Sequence, residues 1–229
     1  MFFLTQILWL QIAADVFLFL GVLSAAIIAI DIFRSNRQHM KIMNLVWPIT
    51  GFYMPIFGFW ANRKMSMTEE KLEDMMNSEI DKPFWQSVFI STSHCGAGCA
   101  VGDIIGEFAI FFFTITLFGL SLWASYFVDF ILAFSIGIAF QYFAIVPMKH
   151  LSPAKGLREA LKADTLSIIA FQAGMYAWMA VTFFVLFHPP LVANNPVFWF
   201  MMQICMSIGF LTSYPANGYL VKKGTKAAM

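Results

Sequence analysis

Long stretches of this chain carry no charged side chain, among them Ile42–Asn62, Phe108–Val128, Phe130–Met148 and Thr165–Val221. A helix needs roughly 20 apolar residues to cross the hydrocarbon core of a bilayer. The last stretch is long enough for two crossings and is interrupted by HPPLVANNP, residues 188–196. Composition agrees, with 60% hydrophobic and 12% charged residues and a mean hydropathy of +0.73. A soluble domain carries about a quarter charged residues. The runs are continuously apolar and lack the alternation of a membrane β-barrel. The expected fold class is therefore all-α, a polytopic transmembrane helical bundle.

Hydropathy divides the chain into about six spans: 4–33, 43–61, 96–120, 122–147, 165–187 and 196–221. Asp15 lies inside the first, and no basic segment precedes it, so it is read as a retained helix. LSAAIIA, residues 23–29, leaves a cleaved signal peptide open. Three regions follow: an N-terminal two-helix membrane segment (1–61), a cytoplasmic connection (62–95) and a four-helix membrane core (96–229). Lys and Arg are retained on the cytoplasmic side. With the N-terminus inside, 62–95, 148–164 and the C-terminus hold eleven of them, and Arg34, Arg37 and Lys41 are left outside. Both termini are thus expected in the cytoplasm. The basic residues form no run beyond this bias, so a nucleic-acid partner has no support.

Within the connection, SMTEEKLEDMMNSEI (66–80) reads as an amphipathic helix on the membrane surface. Ser66 and Glu69 match a capping box, and Leu72, Met75, Met76 and Ile80 share a face. A second cytoplasmic helix opens at Ser152, with Pro153 in its first turn. PIFGFW at Pro55 and PANGYL at Pro215 raise two readings, an internal repeat or two helices kinked near one interface.

The chemistry concentrates in STSHCGAGCAVGDIIGE, residues 91–107. Ser91, Thr92 and Ser93 look like helix caps, which would start the third span near His94 or Cys95. Cys95 in a first turn would favour its thiolate, the form that binds metals or attacks disulfides. Cys95, Cys99, Asp103 and Glu107 recur every four residues and share one helix face. Asp103 lies about 12 Å along the axis from Cys95, so the two cannot hold one ion. The pattern reads as a mouth followed by a descending path. Gly98, Gly102 and Gly106 form a second row, about 100° around, suited to close approach of another helix or partner. Intramembrane carboxylates mark ion or proton paths. The candidate metal ligands are His94, Cys95, Cys99, Asp103, Glu107 and, from a remote helix end, His150. Asp15, Asp129, Gln141 and Gln172 are further path candidates whose facing is open. Asp164, Tyr214 and Asn217 are expected at the membrane level of Cys95.

HCGAGCAVGDIIGE, LREALKADTLSIIAFQAGMYAWM and FLTSYPANGYLVKKGTKAAM together resemble bacterial and archaeal membrane proteins grouped as domain of unknown function 4396. The likeness covers roughly 85–229 and rests on His-Cys-x-x-Gly-Cys and Tyr-Pro-x-Asn. Gly218 and Tyr219 depart from the Trp pair that often follows Asn in the family. The resemblance implies a compact helical bundle in a bacterial or archaeal cytoplasmic membrane and brings no activity with it.

From the residues, the leading expectation is a protein that handles copper or zinc by transport or membrane delivery, and is not an enzyme. Soft thiolates select such ions. The alternatives are a thiol–disulfide protein using Cys95 and Cys99, and a non-catalytic subunit that docks into a homo-oligomer or a membrane complex through Gly98, Gly102 and Gly106. The Cys95–Cys99 spacing is wider than the usual redox motif.

Overall fold

Helices follow the apolar runs, apart from an earlier start of the third span and a departure in the second. The computed structural model describes residues 2–34, 37–68, 71–74 and 82–226. Its helices are α1 (Phe2–Arg34), α2 (Met43–Tyr53), α3 (Pro55–Met65), α4 (Phe84–Phe113), α5 (Ser121–Lys149), α6 (Pro153–Val181) and α7 (Pro196–Lys222). A single π-turn, Thr182–Leu186, extends α6. Five helices are long and apolar enough to cross a membrane: Leu8–Arg34, Phe84–Phe113, Ser121–Lys149, Pro153–Leu186 and Pro196–Lys222. The start of α6 at Ser152 and Pro153 is as expected. Of the expected amphipathic helix, residues 71–74 are helical, while Glu69, Met75, Met76 and Ile80 lie outside the described residues.

The departure is the expected span 43–61. It is two helices of 11 residues, each about 16 Å long and half of what a crossing needs. Pro55 causes the break: it has no N–H to continue the ladder, and it pushes the preceding residue out of the helical region. Met54 accordingly sits at φ −128°, ψ 70°. The chain then folds back, so that a Cβ on Gly58 would lie 2.9 Å from the Cα of Gly51. A polar clasp closes the open end of this hairpin. His39 N–H donates to Met67 O at 2.9 Å, and Met67 N–H donates to Gln38 Oε1 at 2.8 Å. The hairpin thus enters and leaves at the same end of the bundle. Pro215, in the matching pattern, leaves α7 unbroken, so the two PxxG segments do not behave as a structural repeat.

The same end collects the start of α4, the end of α5, the start of α6 and the end of α7. Lys64 lies 5.5 Å over the Trp85 ring, Tyr214 Oη donates to Trp85 O at 3.1 Å, and Met148 and Lys82 line one pocket with the clasp residues Gln38, His39 and Met67. All fourteen Lys and Arg residues of the chain fall within 34–41, 63–82, 149–162 and 222–226, at this basic end. The opposite end, formed by the connections 114–120 and 187–195, carries none. Of the six expected spans, five correspond to helices long and apolar enough to cross a membrane among the described residues, and 43–61 is a hairpin of two short helices.

The core is built around α4, whose residues 91–100 are all buried. Its glycine row packs on α5: a Cβ on Gly98 would meet Gly137, and one on Gly102 or Gly106 would collide with the Ala133 backbone or the Asp129 carboxylate. This row, read as suited to close approach of another helix or of a partner, packs against the chain's own α5. The facing row on α5 is Asp129, Ala133, Gly137 and Gln141, all buried. Small residues four apart on both helices let the backbones approach closely, and that approach brings Asp129 against α4.

Candidate functional site

The polar side chains of the core form a line from the basic end towards the opposite end. At the basic end, Lys226 is 1% exposed although it follows α7 by only four residues. Gly224, at φ +70°, turns the chain back, and the N–H groups of Thr225 and Lys226 donate to Leu220 O, a left-handed helix end that glycine permits. The Lys226 ammonium donates to Asp164 Oδ1 at 2.5 Å, Asn217 Oδ1 at 2.7 Å and Ser91 O at 3.3 Å. Ser167 Oγ also donates to Asn217 Oδ1, at 2.9 Å.

Deeper in lie His94, Cys95 and Cys99, all fully buried, and both cysteines are free thiols. They are not at a mouth. Because α4 starts at Phe84, Cys95 lies about 16 Å along the helix. The amides around it are already bonded within the helix, so the helix-start activation expected for its thiolate is absent. Ser91, Thr92 and Ser93 are interior residues, not caps, and Thr92 Oγ1 donates back to Val88 O at 2.7 Å. The His94 ring meets Phe140 edge-on at 6.3 Å, and neither of its nitrogens has a hydrogen-bond partner. The Tyr53 hydroxyl, at the hairpin tip, reaches into this level beside Gly96.

One turn further, Gln172 Nε2 donates to Asp103 Oδ1 at 2.9 Å. Beyond it, Glu107 sits beside Ser125 and Asp129. Asp103 and Asp129 are fully buried and Glu107 is 5% exposed. Among the described residues, no side-chain or backbone N–H or hydroxyl donates to Asp103 Oδ2, Glu107 Oε1 or either Asp129 oxygen, and Glu107 and Asp129 lie within hydrogen-bond reach of each other. Among the described residues Lys226 is the one buried Lys or Arg, and Asp164 engages it. Three carboxyl groups are thus buried together without a basic partner. Glu107 also forms part of the floor of a cavity of about 340 Å³ near the end opposite the basic residues.

Five of the six ligand candidates lie on the buried α4 and form a line along it, as their four-residue spacing implied. No three His, Cys, Asp or Glu side chains among the described residues converge as a metal-binding group. His150 is exposed at the end of α5, apart from the others. Asp15 faces outward on α1, with Gln11 as its neighbour. Asp129, Gln141 and Gln172, open in their facing, all point inward. Lys226 and Ser125 went unnoticed: one reads as a loop charge and the other as a neutral residue in an apolar run.

Fold and site together define an integral membrane protein, a helical bundle with a polar axis along α4. The model of a family described as a domain of unknown function, DUF4396, matches residues 84–226. The chain belongs to that family. The match covers α4 to α7 and ends on Lys226, so it contains the whole polar axis except Tyr53. No curated protein and no solved structure matches the chain.

Proposed function

We propose that this protein moves protons across a bacterial or archaeal cytoplasmic membrane along the α4 axis, with its basic end in the cytoplasm. One observation carries the reading: Asp103, Glu107 and Asp129 are buried together, and no basic side chain among the described residues neutralises them. An uncompensated buried charge costs on the order of several kcal/mol. A carboxyl cluster under that penalty takes up protons or another cation, and exchanging them along a line is how intramembrane carboxylates serve proton paths. The cavity offers access to Glu107 from one end, and the Lys226–Asp164 pair closes the other. The one-sided Lys and Arg distribution supports the orientation.

The test is proton flux into proteoliposomes, read by an enclosed pH dye under a potassium diffusion potential. Wild-type protein is expected to pass protons, and Asp129→Asn and Glu107→Gln to fall to the lipid background. Equal rates in all three would overturn the reading.

The soft-metal reading keeps one support, the two buried thiols one turn apart beside an unpartnered His94. It makes a separate demand: purified protein would carry stoichiometric copper or zinc, lost in Cys95→Ser/Cys99→Ser. Metal content that is equal in the two proteins removes it.

A further inference from the structure

The cavity above Glu107 has a make-up that a proton path does not need. It lies between α4, α5, α6 and α7, has a volume of about 340 Å³, and is roofed by the connections 114–120 and 187–195. That volume falls within the range of small-molecule sites, roughly 300–1,000 Å³. Phe111, Trp178, Phe183, Phe187 and Phe198 supply aromatic walls. The carboxyl of Glu107 lies on its floor, with Oε1 unpartnered, and Asp129 stands behind it. Trp178 Nε1–H is likewise buried without a partner. No Lys or Arg lies at this end of the molecule to compete for the carboxylates.

We propose that this cavity binds a lipophilic organic ammonium ion, with Glu107 as its counter-charge and the aromatic walls around its alkyl or aryl body. Faces of Trp and Phe attract a desolvated cation, and a buried carboxylate supplies the charge that an apolar cage lacks. A neutral ligand would leave the carboxyl cluster uncompensated. An anion would add to it. Hard inorganic cations such as Ca²⁺ take about six to eight oxygen ligands, and no three His, Cys, Asp or Glu side chains among the described residues converge here. The inference goes beyond the proton axis and shares only Glu107 with it.

Calorimetry on the full chain in nanodiscs tests it, with benzyltriethylammonium as the probe and benzyl alcohol and benzoate as neutral and anionic controls. Saturable binding of the ammonium alone is expected. Glu107→Gln should weaken it roughly tenfold to hundredfold, the usual cost of removing a charged partner. Val192→Trp is a second variant, on an exposed rim residue of the cavity. It should slow association while leaving the thermal transition in place, which separates loss of the site from loss of the fold. No saturable binding to wild type, equal binding of benzyl alcohol, or unchanged affinity in Glu107→Gln would each overturn the proposal. Carboxylate-dependent proton flux without ammonium binding would sink this inference and leave the proton reading standing. Glu107-dependent binding without such flux would do the reverse.

Discussion

Lys226 shows how one residue can hold an end of the bundle shut. Its ammonium bonds to side chains on α6 and α7 and to the α4 backbone, and no other Lys or Arg among the described residues is as buried. Removing one partner of a buried ion pair costs about 3–5 kcal/mol, because the other charge stays behind. Lys226→Ala is therefore expected to lower Tm in detergent sharply, and Lys226→Ala/Asp164→Asn to recover part of the loss. A single variant as stable as wild type would show that the pair is not held as described. None of this is visible in a sequence where Lys222, Lys223 and Lys226 read as one basic tail. The burial depends on Gly224 turning left-handed, and glycine near a chain end is too common to announce that turn. Asp129 was hidden for a different reason. In a membrane helix the lipid-facing and core-facing sides are both apolar, so a lone carboxylate in an apolar run carries no facing signal.

At the scale of helices, the pairing of α4 with α5 sets the position of the carboxyl cluster. The G-x-x-x-G-x-x-x-G row correctly announced a close helix approach but not which helix would fill it. Gly102→Leu forces a side chain into the Ala133 backbone. Overpacking of this kind typically costs about 1–3 kcal/mol, occasionally more, and here it also parts Glu107 from Asp129. Gly218→Ala is the matched control, since its Cβ would meet Val88 at an ordinary 3.8 Å. The expected outcome is a lowered Tm and lost proton flux for Gly102→Leu, with both kept in Gly218→Ala; flux retained in Gly102→Leu would argue against α5 as part of the axis. Helix existence was readable from the charge-free runs, while two boundaries were not. Ser91–Ser93 imitate caps because Ser and Thr favour helix starts in water, whereas inside this helix Thr92 bonds back to its own turn and Ser91 Oγ donates across to Asn217 Oδ1. Hydropathy averages over Pro55, so a window that satisfies the length of a crossing conceals two half-length helices.

The hairpin also decides the topology of the whole molecule. If 43–61 crossed the membrane, residues 34–42 would face the side opposite Lys223, and three basic residues would sit outside. Folding back at Met54 returns Arg34, Arg37 and Lys41 to the basic end and makes the segregation of Lys and Arg complete. If the five long helices all cross and the basic end is cytoplasmic, as proposed, the N-terminus faces outward and the C-terminus the cytoplasm. The three native cysteines are buried, so cysteines introduced at the surface report on topology with little background. Arg37→Cys and Lys223→Cys, both at exposed positions, should react with a membrane-impermeant maleimide from the same side, and only after the cytoplasmic face is opened. Thr116→Cys, exposed in the connection at the other end, should react in intact cells. Labelling of Arg37→Cys together with Thr116→Cys would mean that 43–61 does cross. The hairpin would then be a feature of six passes, and Tyr53 could no longer sit beside Gly96 at the level of the thiols. Labelling of Arg37→Cys with Lys223→Cys instead ties the hairpin tip to the middle of the bundle. There its hydroxyl meets the polar axis that Asp103, Glu107 and Asp129 continue.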